Sequence, residues 1–227
     1  DGSVTLNYTL SRNQTTATND RDAIDMPQNP LDLDAEYADA RTDRRHVFNA
    51  NFIYELPFYR NSANQLAKAV IGGWQLSGIV NITSGPPVPR ILTNTDGLRR
   101  GNQANQVSDP LAGDLSFPYW FRPGAFAPPA LGQYGTAGRA PFRLPGRHQW
   151  DLTISKNWYP GSLRFQFRAD FINAFNQTQW SAVNADCSAT ATSLTLGTCE
   201  VGGTNTFGQI TAARAPREIQ LGIKLFW

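Results

Sequence analysis

No stretch of this 227-residue sequence approaches the ~18 consecutive apolar residues that a membrane-spanning helix requires. Such a chain can cross a bilayer only as strands, because hydrocarbon leaves every backbone donor and acceptor to be paired internally, which only helices and closed barrels achieve. Charge is sparse as well: Asp, Glu, Lys and Arg make up 17% of the residues, below the roughly one quarter usual for soluble domains. The net charge of +2 is small, and the basic clusters Arg44-Arg45 and Arg99-Arg100 are too short to track phosphates, which excludes nucleic acid as a partner. No Gly-rich phosphate loop, nucleophile elbow or His-Glu-x-x-His motif occurs, so nothing points to an enzyme or to a cofactor. The chain starts at Asp1 without a signal-peptide pattern, and is expected to be a processed product or a fragment.

Histidine and cysteine are scarce, with two of each. Cys187 and Cys199 lie in a Ser/Thr/Gly-rich stretch without the further ligands that a metal would want nearby. A disulfide closing a small exposed loop is the better reading, and it implies an oxidising compartment. His46, in Asp43-Arg44-Arg45-His46, and His148 fall at the starts of two strand-like segments, where hydrogen-bonded packing is a stronger reading than general-base chemistry. Asp20, Asp22 and Asp25 lack the Gly and closing Glu of a calcium loop and read as a solvated loop.

What is present is alternation with a period of two, the mark of a strand whose faces meet different surroundings. It recurs near residues 3–11, 45–56, 73–84, 148–158, 162–175 and 217–227. In the fifth segment Leu163, Phe165, Phe167, Ala169 and Phe171 oppose Arg164, Gln166, Arg168 and Asp170. In the last, Ile219, Leu221, Ile223, Leu225 and Trp227 oppose Glu218, Gln220, Gly222 and Lys224. Lys156 alone breaks the apolar face of the fourth segment, one step from its end, where a long side chain can snorkel to the interface.

A soluble sandwich also alternates, so the polar face decides. It carries mostly Asn, Gln, Ser and Thr, which suits a wet barrel interior better than bulk water. Trp150 and Trp158 would stand about 20 Å apart along the membrane normal, close to the ~25 Å between two aromatic girdles. The connections at 12–44, 85–147 and 176–216 are long, whereas 57–72 and the turn Tyr159-Pro160-Gly161-Ser162 are short. With the terminal strand ending at the periplasm, every long link falls outside and both short ones inside, as in outer-membrane barrels. Residues 62–71 read as one or two helical turns in the first short link. The longest loop holds an aromatic knot at Phe117–Phe121, whose Tyr119, Trp120 and Phe121 either contact a ligand or pack the loop base, packing being favoured.

These segments resemble the carboxy-terminal barrel of TonB-dependent outer-membrane receptors, in particular the Oar-like subgroup with an amino-terminal carboxypeptidase-regulatory-like domain. The resemblance is carried by Asp43-Arg44-Arg45-His46, Glu55-Leu56-Pro57-Phe58, Gly72-Gly73-Trp74-Gln75-Leu76-Ser77-Gly78, Ser84-Gly85-Pro86-Pro87, Phe171-Ile172-Asn173-Ala174-Phe175-Asn176, and Arg217 through Trp227. It implies an all-β, antiparallel transmembrane fold, about six strands of a 22-stranded barrel, with plug and amino-terminal domains lying outside this sequence. It also implies TonB-dependent uptake of a scarce nutrient in the bacterial outer membrane. Expected partners are the remaining strands and plug, or further copies of this chain, together with outer-membrane lipid, the TonB system and the barrel-assembly machinery. Leu225 and Trp227 would form the terminal signal that this machinery reads. Arg164, Arg168 and Asp170 would face the lumen, either lining the substrate route or forming a ladder that keeps the interior wet. The alternative is an interaction protein: a released fragment that self-assembles through open strand edges into an extracellular polymer or sheath.

Overall fold

A computed structural model describes residues 1–16, 27–59, 63–88, 90–93, 103–130, 132–187, 199 and 206–227. Six long strands form one antiparallel sheet in chain order: β1 (Gly2–Leu10), β2 (His46–Glu55), β3 (Trp74–Thr83), β4 (Arg147–Trp158), β5 (Arg164–Ile172) and β6 (Glu218–Phe226). Each lies within a few residues of an alternating segment, because side chains on a pleated strand switch faces at every residue. The sheet is open: the outer edges of β1 and β6 have no ladder partner among the described residues.

The register brings like residues into continuous rows. On one face Val4, Phe52, Gly78, Leu152, Phe171 and Ile219 line up across all six strands. One residue along, on the other face, Ser3, Ile53, Ser77, Thr153, Asp170 and Gln220 do the same. A slip of one residue in any strand would exchange its faces, so the alternation itself fixes the pairing. Gly78 is a gap that its neighbours fill: a Cβ there would come within 2.7 Å of both the Phe52 ring and the Leu152 Cδ2.

The two ends of the sheet differ. At one end the links are short. The helix Gln65–Val70 is capped by the Asn64 side chain, which accepts from the Leu66 and Ala67 amides at 3.0 and 3.2 Å. Its unpaired carbonyls are met from the sheet: Trp158 Nε1 donates to Ala69 O at 2.7 Å and Trp74 Nε1 to Val70 O at 3.0 Å. Lys156 is not at the surface. It is 2% exposed, lies between the Trp74 and Trp158 rings at 5.5 and 5.3 Å, and donates to the carbonyls of Lys68 and Gly72. At the opposite end the connections 11–45, 84–146 and 173–217 converge into one assembly. Gly85 makes a close backbone approach there, since a Cβ would fall on the Leu144 carbonyl oxygen.

Candidate functional site

The loop assembly has a hydrophobic core of its own. Val88, Ile91, Ala104, Ala125 and Phe142 come from the second long connection and Phe207 from the third. Phe121 is at the centre, fully buried, with its ring 4.8 Å from Phe142, 5.1 Å from Phe207 and 5.7 Å from Phe126. Cys187 and Cys199 are joined by a disulfide within this core. The expectation of an exposed loop closure is corrected here: both cysteines are fully buried, and Cys187 continues a short parallel ladder with Thr93.

The first connection joins the assembly through polar groups. Glu36 and Arg90 form an ion pair at 2.9 Å with side chains only 3% and 1% exposed. Gln28 accepts from the amides of Gln103 and Gly135 and donates to the Gly135 carbonyl, so one side chain ties segments more than seventy residues apart. At the base, Arg143 meets Asp39 at 2.8 Å and Asp43 at 2.5 Å, while Arg12 and Arg45 also pair with Asp39. Burial alone would raise the Asp39 pKa, but the Arg12 and Arg143 guanidinium groups outweigh it and hold the carboxyl below the ordinary range. Asp43 is likewise lowered: burial opposes, and Arg143 with the Asn13 amide prevails.

Below the assembly the polar face forms a groove of about 660 Å³ to which all six strands contribute, from Ser3 and Thr5 on β1 to Gln220 on β6. Hydroxyls, amides and a few charges line it, together with Ile53, Ile79 and Ile172. The other face is apolar and open, with Leu221 and Ile223 of β6 at 71% and 76% exposure. Such a face is a liability in water and an asset in lipid.

A family model described as an outer membrane β-barrel domain matches residues 2–220. The chain belongs to that family. No curated protein and no solved structure matches it. Membership places the protein in the bacterial outer membrane. The apolar face of this barrel sheet meets lipid, the polar face is the lumen side, and the long loops are extracellular by the alternation of links in such barrels.

The barrel places the residues singled out from sequence as follows. Arg164, Arg168 and Asp170 all lie on the polar face. Arg168 Nε pairs with both Asp170 oxygens at 2.9 and 2.8 Å, and Thr153 Oγ1 donates to Asp170 at 2.5 Å. Arg164 is separate, stacked on the Phe226 ring at 3.9 Å. Of the aromatic knot, Phe121 takes the packing role of the two open to it, since no solute reaches a fully buried ring. Trp120 is anchored by Nε1 donating to Arg143 O at 3.0 Å, and Tyr119 stays 39% exposed. Both line an apolar cleft of about 330 Å³ with Leu111, Leu115, Phe117 and Trp180.

At the end of β6, Leu225 shares the apolar face with Phe165, and Trp227 is 95% exposed. His46 Nδ1 shares a 2.8 Å hydrogen bond with Tyr8 Oη, and the His148 backbone is held by the Gln179 amide, both packing arrangements. Asp20, Asp22 and Asp25 lie outside the described residues. Sequence reasoning missed Glu36, Arg90 and Gln28. Their ion-pair and side-chain partners across the assembly stand too far along the chain for any local spacing to reveal.

Proposed function

We propose that this chain forms wall and ligand-facing loops of a TonB-dependent receptor that takes up a scarce nutrient, and that it is a transport component and not an enzyme. The observation that carries the reading is the joining of three long extracellular connections, two through one buried core and the first through polar contacts, above the groove on the polar face of the sheet. Loops of this length are usually functional when ordered, and a wall that only closed a barrel would need short turns at both ends. The resemblance of the strand-end motifs to such receptors supplies the energy source. In this reading the partners are further barrel strands at the edges of β1 and β6, a plug against the polar face, lipid around the apolar face, the TonB system, and the barrel-assembly machinery acting on Leu225 and Trp227. The test compares solute depletion from the medium by cells with and without the protein, each with and without a working TonB system. The expected outcome is at least one solute consumed faster only when both are present. Equal depletion in all four strains, with the protein present in the outer membrane, removes the uptake reading.

A second reading is favoured by one observation: β1 and β6 are exposed along their whole length, with unpaired edges that template strand addition. A released fragment could then polymerise outside the cell. Sucrose-gradient fractionation separates the two, because a band of about 25 kDa pelleting from the medium without lipid supports the polymer, and a receptor-sized band in the outer membrane supports transport.

A further inference from the structure

Thr83 and Arg147 form the last cross-strand pair of the polar face before the loop assembly begins. From that pair a cavity of about 330 Å³ opens, lined by Ser84, Trp180 and three arginines, Arg44, Arg147 and Arg214. Each arginine comes from a different part of the chain: Arg44 ends the first long connection, Arg147 starts β4, and Arg214 belongs to the third connection.

None of the three has a carboxylate partner among the described residues. Arg44 Nη1 donates to the carbonyls of Arg41 and Asp43 at 3.2 and 2.9 Å. Arg147 donates to the Gln149 side-chain oxygen, and its Nε is buried without a partner. The Arg214 backbone amide donates to the Gln179 carbonyl, and its guanidinium makes no hydrogen bond among the described residues. The acids next to Arg44 are already engaged, Asp39 by Arg12, Arg45 and Arg143, and Asp43 by Arg143. Three like charges facing one small cavity repel each other, and an entering anion turns that repulsion into attraction. Guanidinium forks match the paired oxygens of carboxylate and phosphate.

We infer that this cavity is a subsite for a small oxyanion, a carboxylate or phosphate group carried by the solute that passes along the polar face. The inference deepens the uptake reading and rests on it for the direction of travel. Because Thr83 and Arg147 lie on the face turned away from lipid, the anion arrives from the solute side and not from a lipid headgroup.

The test is calorimetric titration of the purified whole protein in detergent at low salt, with inorganic phosphate, citrate and neutral glucose as probes. Phosphate or citrate is expected to bind and glucose not to. Arg147→Gln and Arg214→Gln each weaken binding by about tenfold, and Arg214→Lys, which keeps the charge, by less. Arg214 is exposed, so its substitution tests the site without endangering the fold. Absence of binding by both anions, or binding unchanged in the two Gln variants, overturns the subsite. Lipopolysaccharide that binds through the same arginines and resists competition by either anion overturns the assignment to a solute. The titration needs no TonB system, so its failure leaves the uptake reading standing, and loss of uptake alone leaves the subsite standing.

Discussion

The loop assembly and the strand sheet place their hydrophobic residues in opposite ways. In the loops the large apolar side chains point at one another, and Phe121, Phe126 and Ile91 are fully buried although the surrounding segments hold only short ladders and single helical turns. In the sheet the apolar residues point outward, and among the described residues no layer packs over the row from Val4 to Ile219. The same side-chain chemistry is satisfied twice, by self-burial where the surroundings are water and by exposure where they are lipid. Irregular backbone is tolerated in the loops because water and side chains can pair its polar groups, whereas the membrane band leaves only the ladder to do so.

Phe121→Ala should break this comparison most strongly. Removing a buried Phe typically costs about 3–5 kcal/mol, and here the loss falls on a core separate from the sheet. Limited proteolysis in membranes should show cleavage within 84–146, while the strands keep their resistance and the barrel its migration in unheated gels. Loss of the barrel together with the loops would mean that the two regions fold as one unit and that the contrast drawn above is false.

Ile223→Arg addresses the other half. A charge on the lipid face near mid-strand costs about 2–4 kcal/mol in such barrels, and membrane-assembled protein should fall. Gln220→Arg, on the polar face of the same strand, should leave assembly nearly unchanged. Equal effects of both substitutions would show that β6 is not in contact with lipid on its apolar face.

These two halves differed just as much in how far the sequence disclosed them. Strand alternation is local, so Leu221 and Gln220 reveal opposite faces from their own neighbours, and all six strands could be placed within a few residues. Loop packing is not local. Phe121 meets Phe207 across more than eighty positions, and Glu36 finds Arg90 from a stretch without periodicity. The cysteine pair was legible as a disulfide because few alternatives existed, yet its burial depends on Phe126 and Thr93, which no spacing connects to it. The arginine cavity is assembled from three connections, and Arg44, Arg147 and Arg214 look unremarkable one by one.

A smaller effect should follow from Asn64→Ala at the short-link end. Losing a helix N-cap costs about 1 kcal/mol, and in the short helix Gln65–Val70 it frees the first amides while Trp74 and Trp158 still hold the carbonyl end. Faster amide exchange at Leu66 and Ala67, with exchange in β3 unchanged, is the expected result. Unchanged exchange of both amides in the variant would show that the Asn64 side chain does not hold the first turn.

The mildest perturbation acts at the seam between the two regions, where Asp39 and Asp43 meet Arg143. Both carboxyls titrate below their ordinary range because the arginines and the Asn13 amide outweigh burial. A carboxylate with a depressed folded-state pKa adds stability above its unfolded value, about 3.9, and that contribution disappears as the pH falls through the folded value. The seam should therefore hold throughout the neutral range and loosen only below about pH 4. Exchange of the Asn13 amide, which donates to Asp43 Oδ1 at 2.7 Å, reads this directly once corrected for the intrinsic pH dependence. Asp43→Asn should remove the pH dependence at that amide while the strands remain protected. An opening that begins well above pH 4, or one that persists in the Asn variant, would place the controlling group elsewhere along the rim.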